Sequence, residues 1–159
     1  MTTLTKTSSP SQTNQLARPV VSARDDSAYA TVEETRALMA SSQAARAARL
    51  AASDMLSTDM AAEFTGVSRV TINAWIAKGR CIGLSQVKRG FKLPVWQFDP
   101  VLWDAIPKIS AALGVKEGWA LLSFLESQNG ALDGQTPRAA IEQGQMERVL
   151  AAAEGEGNT

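Results

Sequence analysis

The sequence predicts a mainly α protein: a small winged helix-turn-helix followed by a short-helix bundle, preceded by a disordered N-terminal tail and an N-terminal helix. Three observations carry this prediction. Two short helical stretches flank a Gly-Val-Ser turn at residues 66–68. An alternating apolar run interrupted by a basic Gly turn follows between Ile82 and Val95. From Pro100 onward, apolar positions recur at helical spacing between Pro, Gly and Thr punctuation.

Composition limits what such a chain does. Its 159 residues include sixteen Lys+Arg, sixteen Asp+Glu, no His and one Cys, with 45% hydrophobic residues, enough for one ordinary domain or two small ones. Lacking histidine, the chain lacks the usual general base near neutral pH, the usual partner of a Ser or Cys nucleophile and the commonest metal ligand. A non-enzyme without metal or cofactor is expected. Cys81 alone makes neither an internal disulfide nor a cysteine zinc site, which fits a reducing, cytoplasmic interior. No stretch approaches the roughly 18 consecutive apolar residues of a membrane span, the first 28 residues hold no signal-peptide core, and no P-loop or dinucleotide glycine motif occurs.

Taken in order, residues 1–28 are rich in Thr, Ser, Gln, Asn and Pro and too poor in apolar groups to offset backbone ordering, so they are expected to be disordered. Residues 29–54 hold a helix from Thr31 to Ala52, with Thr31 as cap and Glu33 and Glu34 in the first turn. Its apolar residues Val32, Leu38, Met39 and Leu50 are few and irregularly spaced, which leaves two readings, a dimer contact or a spacer.

Residues 55–99 form the winged helix-turn-helix. Ser57 or Thr58 caps a helix on which Met60, Ala61 and Phe64 align, and Gly66 ends it. Ser68 caps a second helix running from Arg69 to Lys78, with Ile72, Trp75 and Ile76 on one face and Arg69 and Asn73 on another. Ile82 and Leu84, the turn Lys88-Arg89-Gly90, and then Phe91, Leu93 and Val95 read as a hairpin, with Pro94 on an edge strand or at a strand end.

Residues 100–153 read as a helical domain. Asp99 and Pro100 open a short turn through Trp103, Pro107 starts a helix that Gly114 ends, and a strongly apolar helix runs from about Lys116 to Ser127. After the loop QNGALDGQTP, Thr136 and Pro137 begin a helix that Gly144 stops. A last helix, Gln145 to Ala153, is expected to fray into a flexible tail at residues 154–159.

Zero net charge conceals an asymmetry. Residues 56–99 carry six basic and three acidic side chains, and residues 100–159 carry four basic and eight acidic ones. A basic module followed by an acidic one points to two kinds of partner, the first a polyanion. At the start of the second helix Ser68, Arg69, Thr71 and Asn73 are candidates to face base edges, because Arg pairs with guanine and Asn with adenine in the major groove. Lys78, Arg80, Lys88, Arg89 and Lys92 are candidates for phosphate contact. The competing reading is a solvated basic face on a helix-turn-helix that only holds protein. A module this small is expected to bind operator DNA as a homodimer on paired half-sites.

In the acidic third, Trp119, Leu122, Phe124, Leu132 and Leu150 form either a partner surface or the bundle's own core, and helical spacing favours the core for each taken singly. The polar groups Asn129, Asp133, Gln135 and Glu154 lie in turns or near the chain end, where binding residues concentrate. Glu142 and Glu147 could suggest a hydrolytic carboxylate pair, but a Gly break separates them and the expected place for both is solvent.

The stretch LSTDMAAEFTGVSRVTINAWIAKG with GFKLPVWQFDP, followed by WALLSFLESQNGALDGQTPRAAIEQGQMERVLAAA, resembles antitoxins of the Xre/MbcA/ParS class across residues 56–153. The run from Trp119 through NGALDGQTP to Val149 and Leu150 is similar to that family's C-terminal toxin-binding domain. The resemblance implies a type II toxin–antitoxin module. In it the toxin is commonly a RES-domain enzyme that degrades NAD or ADP-ribosylates a target, and this chain neutralises it and represses their shared operon. On that basis Trp119, Leu122, Asn129, Leu132, Asp133, Gln135, Leu150 and Glu154 are the candidate toxin-binding residues. The alternative is a stand-alone regulator similar to MerR proteins or excisionases, whose acidic domain serves only to oligomerise.

Overall fold

A computed structural model describes residues 31–86 and 90–159. The expected tail, residues 1–28, and Lys88 and Arg89 at the hairpin turn lie outside the described residues. The chain divides into two units, residues 1–47 and 48–159, and it is mainly helical.

Helix α1 spans Val32–Leu50. Thr31 Oγ1 accepts from the Glu34 backbone N–H at 3.1 Å while a Glu34 carboxylate oxygen accepts from the Thr31 N–H at 2.8 Å, a reciprocal capping box. α1 has no buried residue, and Val32, Leu38 and Met39 are largely exposed. Its last turn belongs to the second unit. There Arg49 forks between Asp54, at 2.7 and 2.9 Å, and Glu126, at 2.9 and 2.6 Å. These hydrogen bonds hold the Asp54 carboxyl below the usual carboxylate range.

Strand β1 (Met55–Ser57) leads into helix α2 (Thr58–Thr65), capped by Ser57, whose Oγ accepts from the Met60 N–H. Gly66, in the left-handed region at φ 76°, closes α2, and Ser68 caps α3 (Arg69–Ala77) by accepting from the Thr71 N–H. Strands β2 (Leu84–Ser85) and β3 (Phe91–Pro94) form the expected hairpin. β1 was not expected from the sequence. It pairs antiparallel with β3, Met55 opposite Pro94 and Ser57 opposite Lys92, so the sheet order is β1-β3-β2. β3 is therefore central, and Pro94 is tolerated because it is the last residue of the strand. A single 3₁₀ turn, Val95–Phe98, follows, which takes Val95 out of the expected strand.

Helix α4 runs unbroken from Pro100 to Leu113, capped by Asp99 and closed by Gly114, instead of the expected turn and separate helix. Pro107 lies inside it. A proline cannot donate to the carbonyl four residues back, which here is Trp103, and the guanidinium of Arg80 donates to that carbonyl instead. Helices α5 (Gly118–Glu126) and α6 (Pro137–Glu142) flank a 3₁₀ turn at Gly130–Leu132, and α7 spans Met146–Gly157. The N-terminus of α5 sits against the hairpin: a Cβ on Gly118 would collide with the Gly83 carbonyl, so glycine is required there.

Residues 154–157, expected as flexible tail, continue α7. Asn129 Nδ2 donates to Glu156 at 3.1 Å, and the backbone at Gly157 lies so close to the Ala112 carbonyl that a Cβ would come within 2.6 Å of it. Tertiary contact with the loop and with α4 thus overrides the two glycines, which as isolated helix residues would cost about 1 kcal/mol each.

Two apolar cores hold residues 48–159. The larger takes Met55, Ile82, Leu84 and Trp96 together with the inner faces of α4 to α7, including Ile106, Leu121, Leu125, Ile141 and Val149. The smaller joins α2, α3 and β3 through Ala61, Ile72, Ile76, Cys81 and Leu93. The boundary drawn at residues 99/100 therefore does not separate two cores, because hairpin side chains are buried among the C-terminal helices. Gln97, fully buried, accepts from the N–H of Ile82, a larger-core residue, at 2.7 Å and donates to its carbonyl at 2.9 Å. One side chain thereby satisfies both backbone groups of a residue with no strand partner.

Candidate nucleic-acid interface and partner surface

Helix α3 divides as its pattern requires. Ile72 and Ile76 are buried, and Trp75, half-buried, meets Trp103 edge to face at 5.1 Å. Arg69, Val70 and Asn73 are exposed. Arg69 lies with Nε 3.0 Å from Asp59 of α2, both side chains mostly in solvent, so the pair is weak and easily opened. Ser68 and Thr71 are spent on each other: besides the capping bond, their hydroxyls are 3.0 Å apart. Both are better described as fixing the start of α3 than as free readers of bases.

The basic residues fall into three groups. Lys78, at the C-cap of α3, is exposed, and Lys92 on β3 borders an open groove with Asp59, Arg69 and Gln86. Arg80 is committed to the fold, its guanidinium 3.7 Å from the centre of the Trp103 ring and bonded to the Trp103 carbonyl, and this removes it from the expected phosphate contacts. Lys88 and Arg89 fall outside the described residues.

An aromatic row backs this face. The Phe64 and Phe98 rings meet at a tilt with centroids 5.7 Å apart, and Phe98 and Trp103 likewise at 5.4 Å. Of the three residues that their spacing aligns on α2, Met60 and Phe64 are 50% and 62% exposed, and Ala61 alone is buried. Cys81 is buried in the smaller core, and burial pushes its thiol up to about 12. Such a thiol is inert in the folded chain.

The expected toxin-binding residues separate into core and surface. Leu122 and Leu132 are buried in the larger core, as is Phe124, so none of the three is a contact surface. Trp119 and Leu150 are half-buried and pack against that core. Asn129 is the organiser of the loop: its Oδ1 accepts from the Ala131 N–H at 2.9 Å, its backbone N–H donates to Gln135, and its Nδ2 reaches Glu156. Asp133, at φ 59°, is exposed and ion-paired with Arg148 at 3.1 Å, and Arg148 also donates to the Ala131 carbonyl at 3.0 Å. Gln135 contributes a buried side-chain oxygen that has no hydrogen-bond partner. Glu154 is exposed on α7, held at a fixed place on a helix and not on a free end.

Loop 128–136 and the end of α7 therefore form one surface, and a shallow depression between Asn129, Ala131, Arg148, Ala152 and Gly155 opens on it. Arg148 joins this surface without having been singled out in the sequence, and Glu156, expected on the flexible acidic tail, is held there by Asn129, because the contacts that place both cross from α7 to the loop. Glu142 pairs with Arg138 one turn away, at 3.2 Å, and both it and Glu147 are exposed, as expected. Among the described residues no helix is long and apolar enough to cross a membrane. No known protein family, curated protein or solved structure matches the chain.

Proposed function

We propose that the chain is the antitoxin of a type II toxin–antitoxin module. In this reading it acts in the cytoplasm as a homodimer, binds operator DNA through α3 and the hairpin, and neutralises a RES-type enzyme that degrades NAD or ADP-ribosylates a target. It performs no catalysis itself. The observation that carries the DNA half is the division of α3, with Ile72 and Ile76 buried beneath while Arg69 and Asn73 stay in solvent at the N-terminal end that enters a groove. The toxin half rests on the resemblance of residues 119–150, and its contact surface is loop 128–136 with α7. With about four phosphate-contacting basic groups per protomer, log K against log salt falls with a slope of roughly −3 to −4 for each protomer bound, about −7 for the dimer. Anisotropy titration of labelled duplex DNA at several salt concentrations measures this, and a slope near zero would remove the DNA reading.

A second reading has one observation in its favour. Because the hairpin and the C-terminal helices share a core, those helices have a structural role that needs no partner, as expected of a stand-alone regulator. Mild affinity purification of the intact tagged chain decides between the two. A stoichiometric enzyme-sized partner that is lost on Asp133→Lys with Ala151→Arg, both exposed, supports the antitoxin. Recovery of the chain alone or with DNA supports the regulator.

A further inference from the structure

We infer that Val70 reads the 5-methyl group of a thymine in the major groove, next to the base pair addressed by Asn73. This rests on the DNA-binding reading above and goes further by naming a base feature and the residue that meets it. Val70 is 78% exposed, and it is a β-branched apolar residue in the first turn of α3. It does nothing for the fold: it belongs to neither core, and a β-branched residue on an exposed helix is if anything slightly unfavourable. Its neighbours give it an occupant. Arg69 precedes it and borders a groove with Lys92, its exposed pair with Asp59 being easily opened, while Asn73 lies one turn on and Lys78 is exposed at the far end of the helix, so basic groups outnumber the one acidic partner and the surface suits a polyanion.

Thymine is the one base that offers an apolar group in the major groove, and apolar side chains discriminate it by contact with that methyl. Asn73 complements this, since its amide pairs with adenine N6 and N7. A valine and an asparagine three residues apart on one helix face would thus favour neighbouring A·T pairs.

The experiment has two stages and uses the full chain. Duplexes are first selected from a random pool, and the best sequence is then resynthesised with each thymine replaced singly by uracil, which deletes only the 5-methyl. Covering one methyl is worth about 0.8 kcal/mol, so one such replacement should weaken wild-type binding roughly three- to fivefold. The same replacement should weaken Val70→Ala by less, since alanine keeps only the Cβ for contact with the methyl, and the fold of this variant is safe because the side chain is exposed. Equal responses of wild type and Val70→Ala at every thymine would overturn the inference while leaving DNA binding intact. If no sequence is enriched and binding shows no salt dependence, the DNA reading and the inference fall together.

Discussion

The two cores of residues 48–159 differ in how much of their surroundings they consume. In the larger one, α4 to α7 commit whole faces, and even predicted contact residues such as Leu122 and Leu132 are absorbed. The smaller one holds α2 and α3 with few side chains, leaving Met60, Phe64 and Val70 outside it. Each fully buried Leu or Ile stabilises by about 1.5–3 kcal/mol, so stability is concentrated in the C-terminal helices while the helix pair that carries the reading face is thinly attached. Separation of this kind lets the outward face of α3 vary without loss of the fold.

The strongest test of that difference is in the larger core. Leu125→Ala should cost about 2–5 kcal/mol by chemical denaturation and unfold the hairpin along with the helices, because Ile82 and Leu84 lie in the same cluster. Loss of the C-terminal helices with the hairpin still folded would break the comparison. For the same reason truncation at residue 100 should unfold residues 48–99, and point substitutions are the sounder way to probe partner binding.

In the smaller core, Ile72→Ala should cost about 2–3 kcal/mol, and hydrogen exchange should show α2 and α3 opening before α4 to α7. Uniform opening would show that the two cores act as one. Gln97→Ala should cost about 1–3 kcal/mol, since it leaves the buried N–H and carbonyl of Ile82 without partners. The denaturation midpoint reports it.

The effect of Asp54 is smaller and pH-dependent. Its folded carboxyl titrates below its unfolded value because Arg49 donates to it, so the contribution is present at neutral pH and is lost as pH falls from the usual carboxylate range through the folded value. Asp54→Asn should flatten the acid limb of the stability curve by on the order of 1 kcal/mol or less, the side chain being partly in solvent. Smallest of all, Asn73→Ala should change stability by no more than about 0.5 kcal/mol. Its binding to a selected duplex should nevertheless weaken by about 1–3 kcal/mol, which anisotropy would measure.

Local chemistry by itself determined the helix-turn-helix, the hairpin, most helix boundaries and the caps Thr31, Ser57, Ser68, Asp99 and Thr136. The helices and caps depend on residues within about four positions of one another, where capping and periodicity act, and the hairpin on strands paired within eight. Only tertiary structure decided the rest. β1 is three residues long and exists because Met55–Ser57 meets β3 some thirty-five positions away. Pro107 stays helical because Arg80, far along the chain, takes the carbonyl that proline frees, and the same contact removes Arg80 from the DNA face. The last turn of α7 persists through two glycines because α4 and Asn129 hold it. Which of the apolar residues between Trp119 and Leu150 are core and which are surface was likewise open in the sequence. Periodicity places a residue on a helix face, but burial depends on which other face comes to cover it.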